Sequence, residues 1–169
     1  MDTLLSVGLG IGANGFAGVI VPITNGIPGT IQTVTSAMLL WGLACNDSSH
    51  FYAAGGNGAI GVLVPSINGV ANGQLVAGSD QLFGIACAGS STCFPVGYDP
   101  TFSFGVLVPV ISGTPGTAQT VAGSGDLVGV TFATSTTCGA VGQNSSYSAG
   151  AVVAIKNGKG GAAQPVTGT

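Results

Sequence analysis

"GVLVP" at Gly61–Pro65 recurs unchanged at Gly105–Pro109, and "GVIVP" at Gly18–Pro22 is a near copy. In the longer run "VLVPVI" (Val106–Ile111) both alternating sets of side chains are apolar. A strand of that kind must be covered on two sides. Aligned on this run, Pro22, Pro65, Pro109 and Ala154 are spaced by 43, 44 and 45 residues. Each run is followed by a turn pair: Asn25-Gly26, Asn68-Gly69, Ser112-Gly113 and Asn157-Gly158. Asn-Gly after a β-branched run marks a tight hairpin, because a type I′ turn needs φ > 0 at both central residues.

Working outward, a weaker strand follows each turn and contains "IQTV", "GQLV", "AQTV" or "AQPV". Three mutually similar segments come next: "LWGLAC" (Leu40–Cys45), "LFGIAC" (Leu82–Cys87) and "LVGVTF" (Leu127–Phe132). A closing strand is read from "LLSVG" (Leu4–Gly8), "FYAAG", "CFPVG" and "CGAVG". The chain therefore reads as all-β, with about four four-stranded units of roughly 45 residues within one domain, 1–169. The units run roughly 1–36, 37–77, 78–122 and 123–169. The first lacks its Leu-x-Gly strand, so fifteen strands are expected in place of sixteen. Similar sheets, each covered on both faces by its neighbours, predict a β-propeller. A β-solenoid is the competing architecture, although its coils are typically shorter than this period. The proline is tolerable where its missing N–H falls at a strand end or bulge.

The segment "LFGIACAGSSTCFPVG" (Leu82–Gly97) resembles the Leu-x-Gly-Ile-x-Cys and Cys-x-Ala-Val-Gly blade hairpin of bacterial secreted β-propellers. These are relatives of the BNR/Asp-box and photosystem-assembly-factor-like repeats. The likeness covers nearly the whole chain, but its motifs are structural. The Asp-box itself is absent, and the single tryptophan, Trp41, lies in a Leu-x-Gly strand. Sialidase-like catalysis in related propellers uses arginines, and this chain has none.

Composition narrows the function classes. Gly 31 and Pro 8 approach a low-complexity level, yet 46% of the residues are hydrophobic, which opposes disorder. No apolar run approaches the ~20 residues of a spanning helix. Charged residues make up only 4% of the chain: Lys156, Lys159 and five aspartates. Without a basic cluster, nucleic acid is excluded as a partner. So weakly charged a surface resists self-association poorly. The N-terminal "MDTLLSVGLGIGANG" lacks the basic n-region of a signal peptide; if the protein is secreted, a leader is expected to have been removed or replaced, and Met1 need not be the native start.

Cys87 and Cys93 face one another across a hairpin and are expected to form a disulfide. Its short loop gives a stabilisation of about 2 kcal/mol, and it points to an oxidising compartment. Cys45 faces Phe51 and Cys138 faces Phe132, so both are expected as buried thiols. His50 sits beside Asp47, Ser48 and Ser49, but neighbours in one loop do not converge as a catalytic triad does. Zinc at Cys45 and His50 would lack two further ligands. Asp80 and Asp126 precede Leu-x-Gly strands and are read as turn-bonding residues. Neither a metal nor a cofactor is expected. "NDS" at Asn46 and "NSS" at Asn144 match the N-glycosylation sequon. Tyr98, Phe102, Phe104 and Tyr147 lie in equivalent loops as candidate glycan contacts, or as caps on blade contacts.

Three functions compete on these residues. A non-enzymatic extracellular or cell-surface structural protein that assembles with itself fits best. A carbohydrate-binding module is the alternative, while a hydrolase would need acid–base pairs that five scattered aspartates and one histidine barely permit. The short first unit predicts an unpaired strand edge, hence homo-oligomers: an eight-bladed ring from two copies, or a fibre. A closed four-bladed monomer is the other outcome.

Overall fold

The structure, a computed structural model, describes residues 3–12, 15–47, 50–67, 70–89 and 91–166. Among them there is no helix, and so none long and apolar enough to cross a membrane. The strands form four antiparallel sheets, each from a contiguous stretch of chain. The first contains β1 (Thr3–Gly12), β2 (Gly15–Thr24), β3 (Ile27–Pro28) and β4 (Gln32–Val34). The second contains β5 (Leu39–Cys45), β6 (His50–Gly56), β7 (Gly61–Ile67), β8 (Val70–Ala71) and β9 (Gln74–Val76). In the third are β10 (Gln81–Ala88), β11 (Thr92–Tyr98), β12 (Gly105–Leu107), β13 (Val110–Ile111), β14 (Thr114–Pro115) and β15 (Gln119–Val121). The fourth has β16 (Ser124–Phe132), β17 (Thr137–Asn144), β18 (Gly150–Lys156), β19 (Lys159–Gly160) and β20 (Gln164–Pro165).

Register is shared from sheet to sheet. Val7 pairs with Ile20, Ala54 with Leu63, Val96 with Leu107 and Val141 with Val152. The hairpin turns have the geometry their residues favour: φ is positive at Asn25 and Gly26, Ser112 and Gly113, and Asn157 and Gly158. The Asn68-Gly69 pair lies outside the described residues.

The proline is accommodated by the neighbouring strand. In every sheet the last strand is split into two short pieces, and the break lies opposite the proline position. There the carbonyls of Pro22, Pro65, Pro109 and Ala154 accept hydrogen bonds from Gly29, Asn72, Gly116 and Gly161. The looped-out residues turn their N–H groups elsewhere. Ala118 N–H donates to Ala77 O (3.1 Å) and Ala163 N–H to Ala122 O (2.8 Å), in each case reaching the preceding sheet.

Successive sheets stack face to face and enclose three cores. Ile20, Val62 and Val64 meet between the first and second sheets, and Leu63, Val106 and Val108 between the second and third. Leu107, Val153 and Ile155 meet between the third and fourth. Adjacent residues of one strand thus enter different cores, as the period of two requires. The Leu-x-Gly strands cross at close range. A Cβ on Gly42 would lie 2.8 Å from Phe83 O, and one on Gly84 would lie 2.8 Å from Val128 O. Glycine is required there because one backbone passes directly over the next. The extensive contacts between described elements join only successive sheets, leaving an open stack with two outer faces.

Candidate functional site

Cys87 and Cys93 are directly opposed on β10 and β11 and are bonded, S–S 2.06 Å. Cys45 and Cys138 are free, but they differ. Cys138 is buried beneath the third sheet, and desolvation pushes its thiol up to about 11. Cys45 is exposed, against expectation, because it ends β5 at the rim of its sheet. Phe51 opposite Cys45 is buried, whereas Phe132 opposite Cys138 stacks on Phe94 at 5.4 Å between ring centroids.

His50 opens β6, and both oxygens of the Asp47 carboxylate lie 2.9 Å from its Nδ1. The ring lines a shallow cleft of about 340 Å³ with Tyr52, Ile67, Ser91 and Ser112, where the second sheet meets the third. A similar cleft of about 420 Å³, lined by Phe94, Ile111 and Asn157, lies between the third and fourth. Ser48 and Ser49 lie outside the described residues. No group of three or more His, Cys, Asp or Glu side chains comes together among those described.

At the opposite ends of the hairpins lies a set of residues whose shared loop-ordering role sequence reasoning missed, although Asn144 stands out there as a sequon. Asn57, Asp99 and Asn144 each stand two residues beyond the Gly of the closing strand and organise the loop that follows. Asn57 Oδ1 accepts from the N–H groups of Ala59 and Ile60, and Asn144 Oδ1 from those of Ser148 and Ala149. Asp99 is buried; its Oδ1 accepts from Ser103 and Phe104 N–H, and its Oδ2 from the Thr101 hydroxyl at 2.6 Å. Burial raises the pKa of this carboxyl, but the Thr101 hydroxyl and the backbone donors outweigh it and hold the pKa below the ordinary value. An Asx at the same offset in three units is the pattern from which they could have been read.

Phe102, Phe104 and Tyr147 lie in these loops, beside aromatic side chains on the strands. Trp41, Phe83, Tyr98 and Phe102 form a row with successive centroid separations of 6.1, 5.4 and 4.9 Å. Trp41 Nε1 donates to Gln81 Oε1 (3.1 Å), and the Tyr147 hydroxyl donates to Phe102 O (3.2 Å). Trp41, Phe102, Phe104 and Tyr147 are exposed. Burial raises the pKa of the Tyr98 and Tyr147 phenols, and nearby aspartates raise it further, Asp80 foremost for Tyr98 and Asp126 for Tyr147. Asp126 accepts from Gln143 N–H (3.0 Å) across the hairpin, whereas Asp80 donates its own N–H to Tyr98 O (3.0 Å). The two sequons also differ. Asn46 Nδ2 is buried without a hydrogen-bond partner, while Asn144 Nδ2 donates to Ser148 Oγ at 3.3 Å in an exposed loop.

The outer face of the fourth sheet is also apolar. Val141, Val152 and Val166 are exposed there. A shallow apolar depression of about 420 Å³ runs between β17 and β18, past Cys138, Val141 and Val152. The chain matches no protein-family model, and no curated protein matches it.

Proposed function

We propose that the protein is a non-enzymatic extracellular or cell-surface component, a propeller-type stack of blades that assembles with copies of itself. The observation that carries this reading is the apolar outer face of the fourth sheet, on a chain with only two lysines and five aspartates. Contiguous apolar surface marks an interaction site, and little charge is present to oppose pairing. The Cys87–Cys93 bond supports an oxidising location. Sedimentation velocity over a wide concentration range tests the reading. A particle heavier than the 16.2 kDa chain is expected, and a monomer at the highest concentrations would remove it.

The aromatic row supports a second reading, carbohydrate binding. Exposed rings next to Asx-ordered loops offer apolar faces and polar neighbours to a sugar. The rings are tilted against one another, with interplanar angles of 38–66°, which favours mutual packing over a flat platform. A glycan array decides it: binding that Phe102→Ala removes would support the module, and an empty array would leave the rings as packing.

A further inference from the structure

Each internal junction between sheets is made by the same positions. The leading sheet contributes a trio from its closing, third and last strands: Val7, Ile20 and Val34, then Ala54, Leu63 and Val76, then Val96, Leu107 and Val121. In the fourth sheet the same register positions hold Val141, Val152 and Val166, which are 48%, 44% and 37% exposed. The receiving sheet contributes alternate residues of its valine strand, Val62 and Val64 or Val106 and Val108, all fully buried. The equivalents in the first sheet are Val19 and Val21, which are only partly buried. Because Ile20 between them enters the first core, they point the other way.

A polar contact accompanies the apolar ones. Gln74 Nε2 donates to Gly113 O (3.1 Å), and Gln119 Nε2 to Gly158 O (3.4 Å). In each case a last-strand glutamine reaches the turn glycine of the following sheet. Gln164, the matching residue of the fourth sheet, instead reaches Ala162 O between β19 and β20 at 3.4 Å.

We infer that the outer face of the fourth sheet is a docking site for the first sheet of a second copy of this chain. The junction is head-to-tail. Val141, Val152 and Val166 of one copy cover Val19 and Val21 of the next, and Gln164 turns to the carbonyl of Gly26. The inference rests on the self-assembly reading and specifies its geometry. The occupant follows from continuity: the two outer faces are the separated halves of an interface built three times within the chain. The first sheet has no strand crossing at Gly129, where a Cβ would meet only Val141 Cγ2 at 3.2 Å. The junction is therefore smaller than the internal ones and responds to concentration. Repeated head-to-tail contacts close a ring or extend a filament according to the rotation between copies.

Complementation tests this. Val152→Lys blocks one face and Val21→Lys the other, so each variant alone should sediment as a monomer at concentrations where the unaltered chain assembles. Mixed in equal amounts, they should give a two-copy species and nothing larger, because one free face remains on each. Far-UV circular dichroism and a urea titration establish that both variants are folded. Should either fail to fold, Val152→Ser and Val19→Ser replace them. Gln164→Ala, at a solvent-facing position, should weaken assembly about two- to tenfold. If the unaltered chain assembles while both blocked variants assemble equally well, the head-to-tail junction is wrong and self-assembly stands. A mixture that remains monomeric overturns the junction too. If the unaltered chain itself never assembles, the self-assembly reading fails with it.

Discussion

β7 and β18 occupy the same place in their sheets, yet their environments differ. In β7 six consecutive residues, Gly61–Ser66, are buried; in β18 burial alternates, with Ala151, Val153 and Ile155 inside and Val152, Ala154 and Lys156 outside. The sequences barely register the change, since Val152 is as apolar as Leu63. What differs is the neighbour: β7 has a sheet on either side, and β18 has one. Under the proposed head-to-tail junction, a second copy supplies the neighbour that β18 lacks.

The widest separation between the two strands should come from truncation. Leu63→Ala opens a cavity in a core closed on both sides and should cost about 2–5 kcal/mol in a urea titration. Val152→Ala in the dilute protein should stay within about 0.5 kcal/mol of the original. Equal losses would mean that the outer face is already covered.

The Leu-x-Gly glycines sharpen the same contrast. An alanine Cβ at Gly84 runs into the Val128 carbonyl of the next sheet, so Gly84→Ala should destabilise by about 1–3 kcal/mol. At Gly129 the added methyl meets only the Val141 side chain, which can turn aside, and Gly129→Ala should be close to neutral. A neutral Gly84→Ala would mean that the strands do not cross as closely as described.

Much of this architecture is legible in the residues. The valine runs, the three described turn pairs and the Cys87–Cys93 pair are local patterns, and each maps directly onto a strand, a turn or a bond. The missing Leu-x-Gly copy corresponds to the short first sheet. Features that depend on a second element could not be read in the same way. The split of the last strand shows only in its pairing with the neighbouring strand, and it recurs opposite Ala154, where no proline stands. Trp41 and Phe83 join one aromatic row only because their sheets stack, and no spacing within one unit reveals it. Cys45 looked like Cys138 in sequence, but its place at a strand end leaves it in solvent. Whether the stack closes on itself depends on the angles between sheets, which short-range patterning does not encode.

Smaller effects are expected at the loops. Asp99→Ala removes acceptors for two backbone N–H groups and a hydroxyl, and should cost about 1–2 kcal/mol. Asp99→Asn should cost less, since asparagine does the same work at Asn57 and Asn144. The folded pKa of Asp99 lies below its unfolded value, so its contribution is present above the ordinary carboxylate pKa. That contribution is lost as the pH falls through the lower folded value. Urea titrations down the acid range should show this slope in the original chain and not in Asp99→Asn.

The cysteines give the smallest effect. In native protein without reductant, alkylation should label Cys45 readily, Cys138 only after unfolding, and Cys87 and Cys93 not at all. With the Cys138 thiol pushed up from 9.0 to about 11, the unfolded chain ionises first as the pH rises. Stability should then decline between about pH 9 and 11, a slope that Cys138→Ala should lack. Rapid native labelling of Cys138 would contradict its burial beneath the third sheet.

The central proposal is that the outer face of the fourth sheet docks the first sheet of a second copy. Methyl NMR of valine-labelled protein with a soluble paramagnetic probe, across a dilution series, tests it most directly. In dilute solution Val141 and Val152 should be strongly broadened, while Val62 and Val153 stay sharp. On concentration, Val141, Val152, Val19 and Val21 should become protected together. Strong broadening of Val152 that persists unchanged at every concentration would contradict the account, as would protection of Val152 in the dilute monomer.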